Sequence, residues 1–472
     1  MSPFAGARGK IIATCWLSAA VWSSGANAEP MRNALLRAYS NHPTLKAERA
    51  AVLASREEIE SSKAGFRPKI TANATAGLVD EVYRPTSNDR EITLSRAPRS
   101  AGIDLQQNLF DGFRTTNTVS RAQSGLAARA ARAHQTEQMI LLAAATAYVD
   151  VWTDELTAGY TRENMSALRA QLAEGKERHG FGDATRTELA QIQTRLASAQ
   201  ASTSLAVSNL KTSRAAYERI IGPVPEAIAA ARPLDTAVPT ALREVLDVAA
   251  KNHPAILGAR HGIGIAVAQV KIERGAALPS LSVTARLSRE LDLNVRGDAQ
   301  GYAAIFGSLS IPIYDGGETR ARVRQASHTV DERRFETDAV IAEVRSSTTA
   351  AWNAYNAGKE RIQSAKAQLD SAEAARNGIR EEWRAGERTL REFLDAQQDV
   401  LVSRINLAAI ERERVLSTYA LAQAIGRLTL SNLARTPLNA APLPFRKKIE
   451  STTEWTKEST FTGWSIRNRS LN

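Results

Sequence analysis

The sequence predicts a mainly α-helical fold with membrane β-strands, in which a unit of two strands and long helices occurs twice. Three observations lead to this prediction: an internal repeat of about 200 residues, four segments in which apolar and polar residues alternate, and long runs of apolar heptads. The 472 residues are 43% hydrophobic and 24% charged, a composition typical of folded proteins.

The charge and cysteine content exclude several classes of protein. The formal net charge is +11, but the charges alternate in sign along predicted helices, which is typical of solvated faces rather than a nucleic-acid interface. The one cysteine, Cys15, lies near the N-terminus. If that region is removed, the mature chain has no disulfide, no cysteine-ligated zinc and no cysteine nucleophile.

The N-terminal segment has the pattern of a secretory signal peptide. Arg8 and Lys10 precede a short apolar stretch, and Ala26-Asn27-Ala28 forms an A-x-A cleavage site before Glu29. We therefore expect residues 1–28 to be a signal peptide. Lipidation at Cys15 is the alternative, but only four residues separate Cys15 from Lys10, too few for an apolar core.

The rest of the chain contains two similar halves, which we assign to 29–232 and 233–432. Six ordered pairs of short matches, offset by 204 or 211 residues, support the duplication. The matches are Asn41-His42-Pro43 with Asn252-His253-Pro254, Arg67-Pro68 with Leu278-Pro279, Phe110-Asp111-Gly112 with Tyr314-Asp315-Gly316, Ala147-Tyr148 with Ala351-Trp352, Gly182 and Glu188 with Gly386 and Glu392, and Ile221-Gly222 with Ile425-Gly426. Residues 433–472 are rich in Pro, Thr and Ser, and we expect a mobile periplasmic tail.

Each half contains two predicted strands joined by a polar loop. The strands are expected at about 69–80 and 101–110 in the first half and about 279–288 and 302–313 in the second. Strands of about ten residues suit a tilted membrane crossing, yet four are too few for a barrel, because single-chain barrels begin at about eight. Three chains that pool their strands would supply twelve. A small soluble sheet packed on a helix is the alternative, and it explains neither the duplication nor the long helices.

The helices that follow the strands are predicted to form coiled coils. Val119, Leu126, Ala133 and Ile140 are spaced by seven, and the series that begins at Val323 has the same phase in the second half. A helix over 113–175 would be about 95 Å long at about 1.5 Å per residue. No single globular core requires that length.

Motifs for catalysis or metal binding are not found. The six histidines are scattered without metal-ligand spacing, and the glycines form neither a phosphate-binding loop nor a nucleophile elbow. His42 and His253 precede prolines at matching positions of the repeat, which indicates a structural turn. We expect no enzyme, no cofactor and no metal.

With these residues assigned, the chain resembles the TolC-type outer-membrane efflux proteins over about residues 30–430. The most specific match is GERTLREFLDAQ at 386–397, which is similar to the family pattern G-x-R-T-x-x-D-V-L-D-A. The Asn-His-Pro, Pro-before-strand and Asp-Gly-after-strand motifs occur in the same order in both halves.

The resemblance implies a trimeric 12-stranded β-barrel in the outer membrane of a Gram-negative bacterium, continuing into a 12-helix coiled-coil periplasmic tunnel. Such a homotrimer is the passive exit duct of a tripartite efflux or type I secretion system. Its partners would be a periplasmic adaptor and an inner-membrane pump, either an ABC exporter or a proton-driven one. The alternative from a different class is a periplasmic adaptor with coiled-coil hairpins, and a solute-specific porin is a third. An adaptor would carry one hairpin and an inner-membrane anchor, whereas a porin would need more strands.

The resemblance also implies a gate at the periplasmic end. Glu392 and Asp395 align with the constricting carboxylates, and Trp383 and Arg388 with an aromatic residue and an arginine that hold the gate closed. Thr187 and Glu188 align with the partners of these residues on the neighbouring helix pair. Two departures are that Glu392 stands where the pattern has Asp, and Trp383 where it has Tyr. From the sequence alone, three-residue spacing puts both carboxylates on one helical face, and a trimer axis would crowd them and raise their pKa values.

Overall fold

The computed structural model describes residues 29–83, 91–235, 239, 241–293 and 297–435. The predicted signal peptide with Cys15, the predicted tail beyond residue 435 and the centres of both predicted strand-connecting loops lie outside these residues. Among the helices that are described, none is both long enough and apolar enough to cross a membrane.

The two halves of the chain contain the same helices in the same order. The first half has α1 (Met31–Asn41), α2 (Pro43–Lys63), α3 (Arg114–Gly180) and α4 (Arg186–Ile220). The second has α5 (Leu242–Asn252), α6 (Pro254–Gly275), α7 (Glu318–Arg384) and α8 (Leu390–Ala424), and a short α9 (Leu430–Arg435) follows. Helices α3 and α7 each have 67 residues and helices α4 and α8 each have 35, so both hairpins have the same length.

The repeated His-Pro pair separates α1 from α2 and α5 from α6, in agreement with the structural turn that the sequence indicates. Pro43 and Pro254 occupy the first turns of α2 and α6, where a missing N–H is tolerated. The imidazole Nδ1 atoms of His42 and His253 accept from the N–H groups of Thr44 and Ala255, both at 3.3 Å. The histidines therefore act as N-caps.

The strand ends differ from those that the sequence predicts, and some strands are shorter whereas others are longer. The first half has β1 (Lys69–Ala76), β2 (Val79–Tyr83), β3 (Ile92–Arg96) and β4 (Arg99–Phe110), and the second has β5 (Ser280–Leu291) and β6 (Ala299–Ser310). The expectation of a polar loop over 83–99 is wrong in part, because β2 and β3 form a hairpin there. The charged residues of β2 and β3 interrupt the alternation of apolar and polar residues, so hydropathy does not predict these strands. Two of the charged residues, Glu81 and Arg96, form a cross-strand ion pair at 2.9 Å.

The long strands form one antiparallel sheet in the order β1-β4-β5-β6. The β4–β5 pairing joins the two halves of the chain, with Leu105 opposite Ala285 and Asp104 opposite Arg286. One face of the sheet is apolar, including Ile103, Leu287 and Ile305, whose exposed fractions are 49%, 59% and 76% in the single chain. The opposite face carries an ion pair between Asp104 and Arg286. The apolar face thus has no core beneath it within the described chain.

The largest buried cluster lies where the two hairpins meet the segment that connects the halves, residues 223–235, which we call the strap. The hydroxyl of the buried Tyr148 on α3 lies 2.7 Å from the carbonyl oxygens of both Glu29 and Ala229. The Leu234 N–H donates to Thr418 Oγ1 on α8 at 2.9 Å. The strap therefore contacts both hairpins.

Candidate functional site

The candidate site lies at the tips of the two hairpins, where α3 turns into α4 and α7 turns into α8. Gly182 follows the end of α3 and Gly386 follows the end of α7. Their φ angles of +87° and +80° lie in the left-handed region that favours glycine. A buried apolar cluster then connects the hairpins, with Leu168 and Ile192 of the first packed against Phe393 and Leu394 of the second. The two tips are thus held side by side.

Glu188 and Glu392 have the same structural role in their respective hairpins. Each is the third residue of its helix and forms a capping box with a threonine. Glu188 Oε2 accepts from the Thr185 N–H at 2.7 Å, and Glu392 Oε2 accepts from the Thr389 N–H at 2.9 Å. The T-x-x-E spacing at 185–188 and 389–392 is a local sequence signal that predicts these caps.

Arg388 connects the ends of α7 and α8. Its guanidinium donates from Nε to Glu382 Oε2 and from an Nη atom to Glu392 Oε1, both at 2.9 Å. The hydrogen bond from the Thr389 backbone, and then that from Arg388, lower the pKa of the Glu392 carboxyl to about 2. The expected rise of this pKa depends on carboxylates of three chains meeting at one axis and stays a prediction; within the single chain, the local hydrogen-bond donors lower the pKa.

Asp395 is paired with the other hairpin rather than with Arg388. It forms an ion pair with Arg195 of α4, and the Nε atom of Arg391 lies 3.8 Å from its second oxygen. The Arg391–Asp395 spacing of four residues could have been found from the sequence. The Arg195–Asp395 pair could not, because 200 residues separate the two positions.

Within the residues that the structure describes, Trp383 packs against its neighbours, and the gating hydrogen bond that its alignment implies stays a prediction. Its indole stacks on the Phe393 ring at 5.1 Å with an interplanar angle of 5°, and the Arg178 guanidinium lies 5.8 Å from the indole. Trp383 and Glu188 line the same groove between the hairpins. Thr187 is exposed, and its side chain makes no polar contact with any part of the chain that the structure describes.

Glu392 and Asp395 thus belong to a balanced cluster of charges rather than to a free acidic patch. Glu382, Glu392 and Asp395 supply three carboxylates, and they are paired with three arginines, Arg195, Arg388 and Arg391. All six side chains remain between 40% and 77% exposed, so water and ions can reach them.

Both hairpins, and most of the chain, match one known protein family. Residues 34–223 and 245–427 match the outer membrane efflux protein family. The chain belongs to this family. It is accordingly a protein of the Gram-negative outer membrane and a channel-type transport protein.

Two curated relatives and one solved structure resemble this chain over most of its length. The outer membrane efflux protein BepC of Brucella suis biovar 1 (strain 1330) is 32% identical over 410 residues, 86% of this chain and 87% of BepC. The outer membrane protein TolC of Vibrio cholerae serotype O1 (strain ATCC 39315 / El Tor Inaba N16961) is 27% identical over 433 residues, 88% and 93% of the two chains. The crystal structure of the Campylobacter jejuni CmeC outer membrane channel has a TM-score of 0.73 at 17% identity, covering 84% of this chain and 85% of CmeC. This last similarity shows the fold, a helical tunnel with a β-sheet.

Proposed function

We propose that the chain acts as a homotrimer that forms a 12-stranded barrel and a periplasmic tunnel closed at the hairpin tips. The family membership establishes an outer-membrane exit duct for efflux or secretion. Substrates would pass through it chemically unchanged, so the protein is not an enzyme. A periplasmic adaptor and an inner-membrane pump would engage the tips.

The open edges of the sheet are the main observation that supports a trimer. Within the described chain, β1 and β6 each pair along one edge only, and the sheet has one apolar face without a core beneath it. Open edges cannot face lipid, because every unpaired backbone group there costs several kcal/mol. Pairing β6 of one chain with β1 of the next removes both edges, and three chains bring the strand number to twelve.

The balanced charges at the tips support a gate in the same region. Arg388 fixes the end of α7 to the start of α8, and the Arg195–Asp395 pair fixes α8 to α4. We assign Glu392, Asp395, Arg388, Trp383, Thr187 and Glu188 to this gate, with Trp383 acting through packing.

Native mass spectrometry of the detergent-solubilised protein tests the proposal. We expect three copies per particle, and we expect purified particles to conduct ions in planar bilayers. A stable detergent-free monomer without conductance would contradict both the trimer and the duct.

A further inference from the structure

The pair between Arg195 and Asp395 joins two hairpins that no covalent turn connects. Arg195 lies on α4 in the first half of the chain, and Asp395 lies on α8 in the second. The two side chains are 40% and 46% exposed. An ion pair of this exposure contributes little to stability because water screens it. It therefore suits a contact that must break and re-form.

In this pair the positive and negative side chains are exchanged between the hairpins, compared with two other ion pairs that cross between them. Closer to the strap, Arg412 of α8 donates to Asp150 of α3 at 2.6 Å, and Arg404 of α8 lies 3.3 Å from Glu163 of α3. In those pairs the arginine belongs to α8. At Asp395 the carboxylate belongs to α8, and a principal counter-ion lies on the other hairpin.

Asp395 also differs from Glu392, although both lie on the first turns of α8. The partners of Glu392 are Thr389 and Arg388, which belong to the same hairpin, so they move with it. Separation of the hairpins would leave Glu392 neutralised. It would remove Arg195 from Asp395, which would then keep only the longer 3.8 Å contact with Arg391.

We propose that Arg195 is a selectivity-determining residue of the channel, because it masks Asp395 while the hairpins are in contact and exposes it when they separate. This inference rests on the proposed function. Closed tips would present balanced charge, whereas opened tips would present one carboxylate per chain whose remaining counter-ion is the more distant and 77% exposed Arg391. Rings of carboxylates favour cations, so opening would increase the preference for cationic solutes. By linkage, a cation that binds the exposed Asp395 would favour the open state.

The test compares single-channel conductance and reversal potential in a KCl gradient across planar bilayers. The variants are Arg195→Gln, Arg195→Lys and the double variant Arg195→Gln with Asp395→Asn. Arg214→Gln is the matched control, because Arg214 also lies on α4, is 46% exposed and pairs with Glu155 inside its own hairpin at 2.8 Å. All proteins are first checked as detergent-solubilised oligomers.

We expect Arg195→Gln to raise the cation-to-anion permeability ratio by about threefold or more, since each subunit gains an unmasked carboxylate. Adding Asp395→Asn should return the permeability ratio to the wild-type value, because the unmasked carboxylate is then removed. Arg195→Lys and Arg214→Gln should both resemble the wild type. A folded Arg195→Gln channel with wild-type selectivity would overturn the inference and leave the duct intact. Absence of any conductance from wild-type oligomers would overturn the duct itself.

Discussion

Thr389 begins α8 in the same way that Thr185 begins α4, 204 residues earlier in the chain. Each threonine accepts from the N–H of a glutamate three residues later, and that glutamate accepts in return. The two tips differ immediately beside this shared cap. Arg388 precedes Thr389, whereas Ala184 precedes Thr185. The arginine that links two acidic side chains is therefore a feature of the second tip alone.

Replacing Arg388 with serine is predicted to open the tips. The change removes both hydrogen bonds from the guanidinium, to Glu382 and Glu392, which lie within one hairpin. In the proposed trimer the two carboxylates of each chain would then repel those of its neighbours and push the tips apart. We expect a higher single-channel conductance in planar bilayers. Arg384→Ser is the control, because Arg384 pairs only locally with Glu381, at 3.3 Å. Equal conductance for the two variants would argue against a role for Arg388 in closure.

Removing either threonine cap is predicted to loosen the start of its helix. Thr185→Ala and Thr389→Ala each delete the side chain that accepts from the third residue, which typically costs about 1 kcal/mol. Hydrogen exchange should accelerate at the first turn of the altered helix and remain unchanged at the other tip. If acceleration spread over both tips, the caps would belong to one cooperative unit rather than to separate helices.

The hydrogen bond between the Thr389 N–H and the Glu392 carboxylate is predicted to persist in mild acid. The folded-state pKa of Glu392, about 2, is below the ordinary value of 4.5, so the carboxylate contributes stability above pH 4.5 and loses it as pH falls towards 2. The protection factor of the Thr389 amide should therefore remain constant between pH 7 and about pH 4 and fall below that range. In the Glu392→Gln variant the protection factor of the Thr389 amide should not fall, because the glutamine side chain does not titrate. Loss of protection already near pH 5 would contradict the assigned hydrogen bonds.

The two strand-to-helix junctions are predicted to respond differently to the same substitution. Gly112 and Gly316 have φ of +67° and +69°, so alanine at either position costs about 1–2 kcal/mol in backbone conformation. At Gly112 the added methyl group would also lie 2.3 Å from the Gly275 carbonyl oxygen, whereas at Gly316 no atom of the described chain lies within 4 Å. Thermal unfolding should show Gly112→Ala to be much the more destabilised. Similar losses would indicate that the junction can move away.

The loop between β5 and β6 is predicted to face the cell exterior and the hairpin tips the periplasm. A cysteine at Asp298 should react with an impermeant maleimide on intact cells, whereas one at Phe181, which is 85% exposed at a tip, should react only after permeabilisation. The wild-type protein measures any background from Cys15. The reverse pattern of labelling would invert the topology. The corresponding position in the other loop, Asn88, lies outside the described residues.

Local patterns predicted the fold well because its elements depend on periodicity. Heptads and turn residues fixed the helices to within a few residues, and the predicted helix at 113–175 is observed as Arg114–Gly180. Strand ends were less predictable, since pairing with β4 and β5, rather than composition, decides how far a strand continues. Residue Val79, for example, was expected in the first strand and instead begins β2.

The sequence predicted where the candidate site lies in the chain, but not which residues from other helices contact it. The motif at 386–397 includes Arg388, Glu392 and Asp395, and a spacing of four residues accounts for the contacts of Arg388 with Glu392 and of Arg391 with Asp395. Arg195 carries no local signal, because only the packing of α4 beside α8 brings it to Asp395. The packing of Trp383 on Phe393 is likewise set by the turn at Gly386, which reverses the chain between them.

The equal lengths of the two hairpins restrict how such a chain can evolve. A deletion of one heptad from each arm of the first hairpin would preserve its coiled coil and its caps, yet its tip would no longer reach the tip of the second. Arg195 would then lie two turns away from Asp395, at about 1.5 Å per residue. Changes in length are therefore acceptable only when both halves change together, which explains why duplicated sequences that have diverged so far still keep arms of 67 and 35 residues in each half.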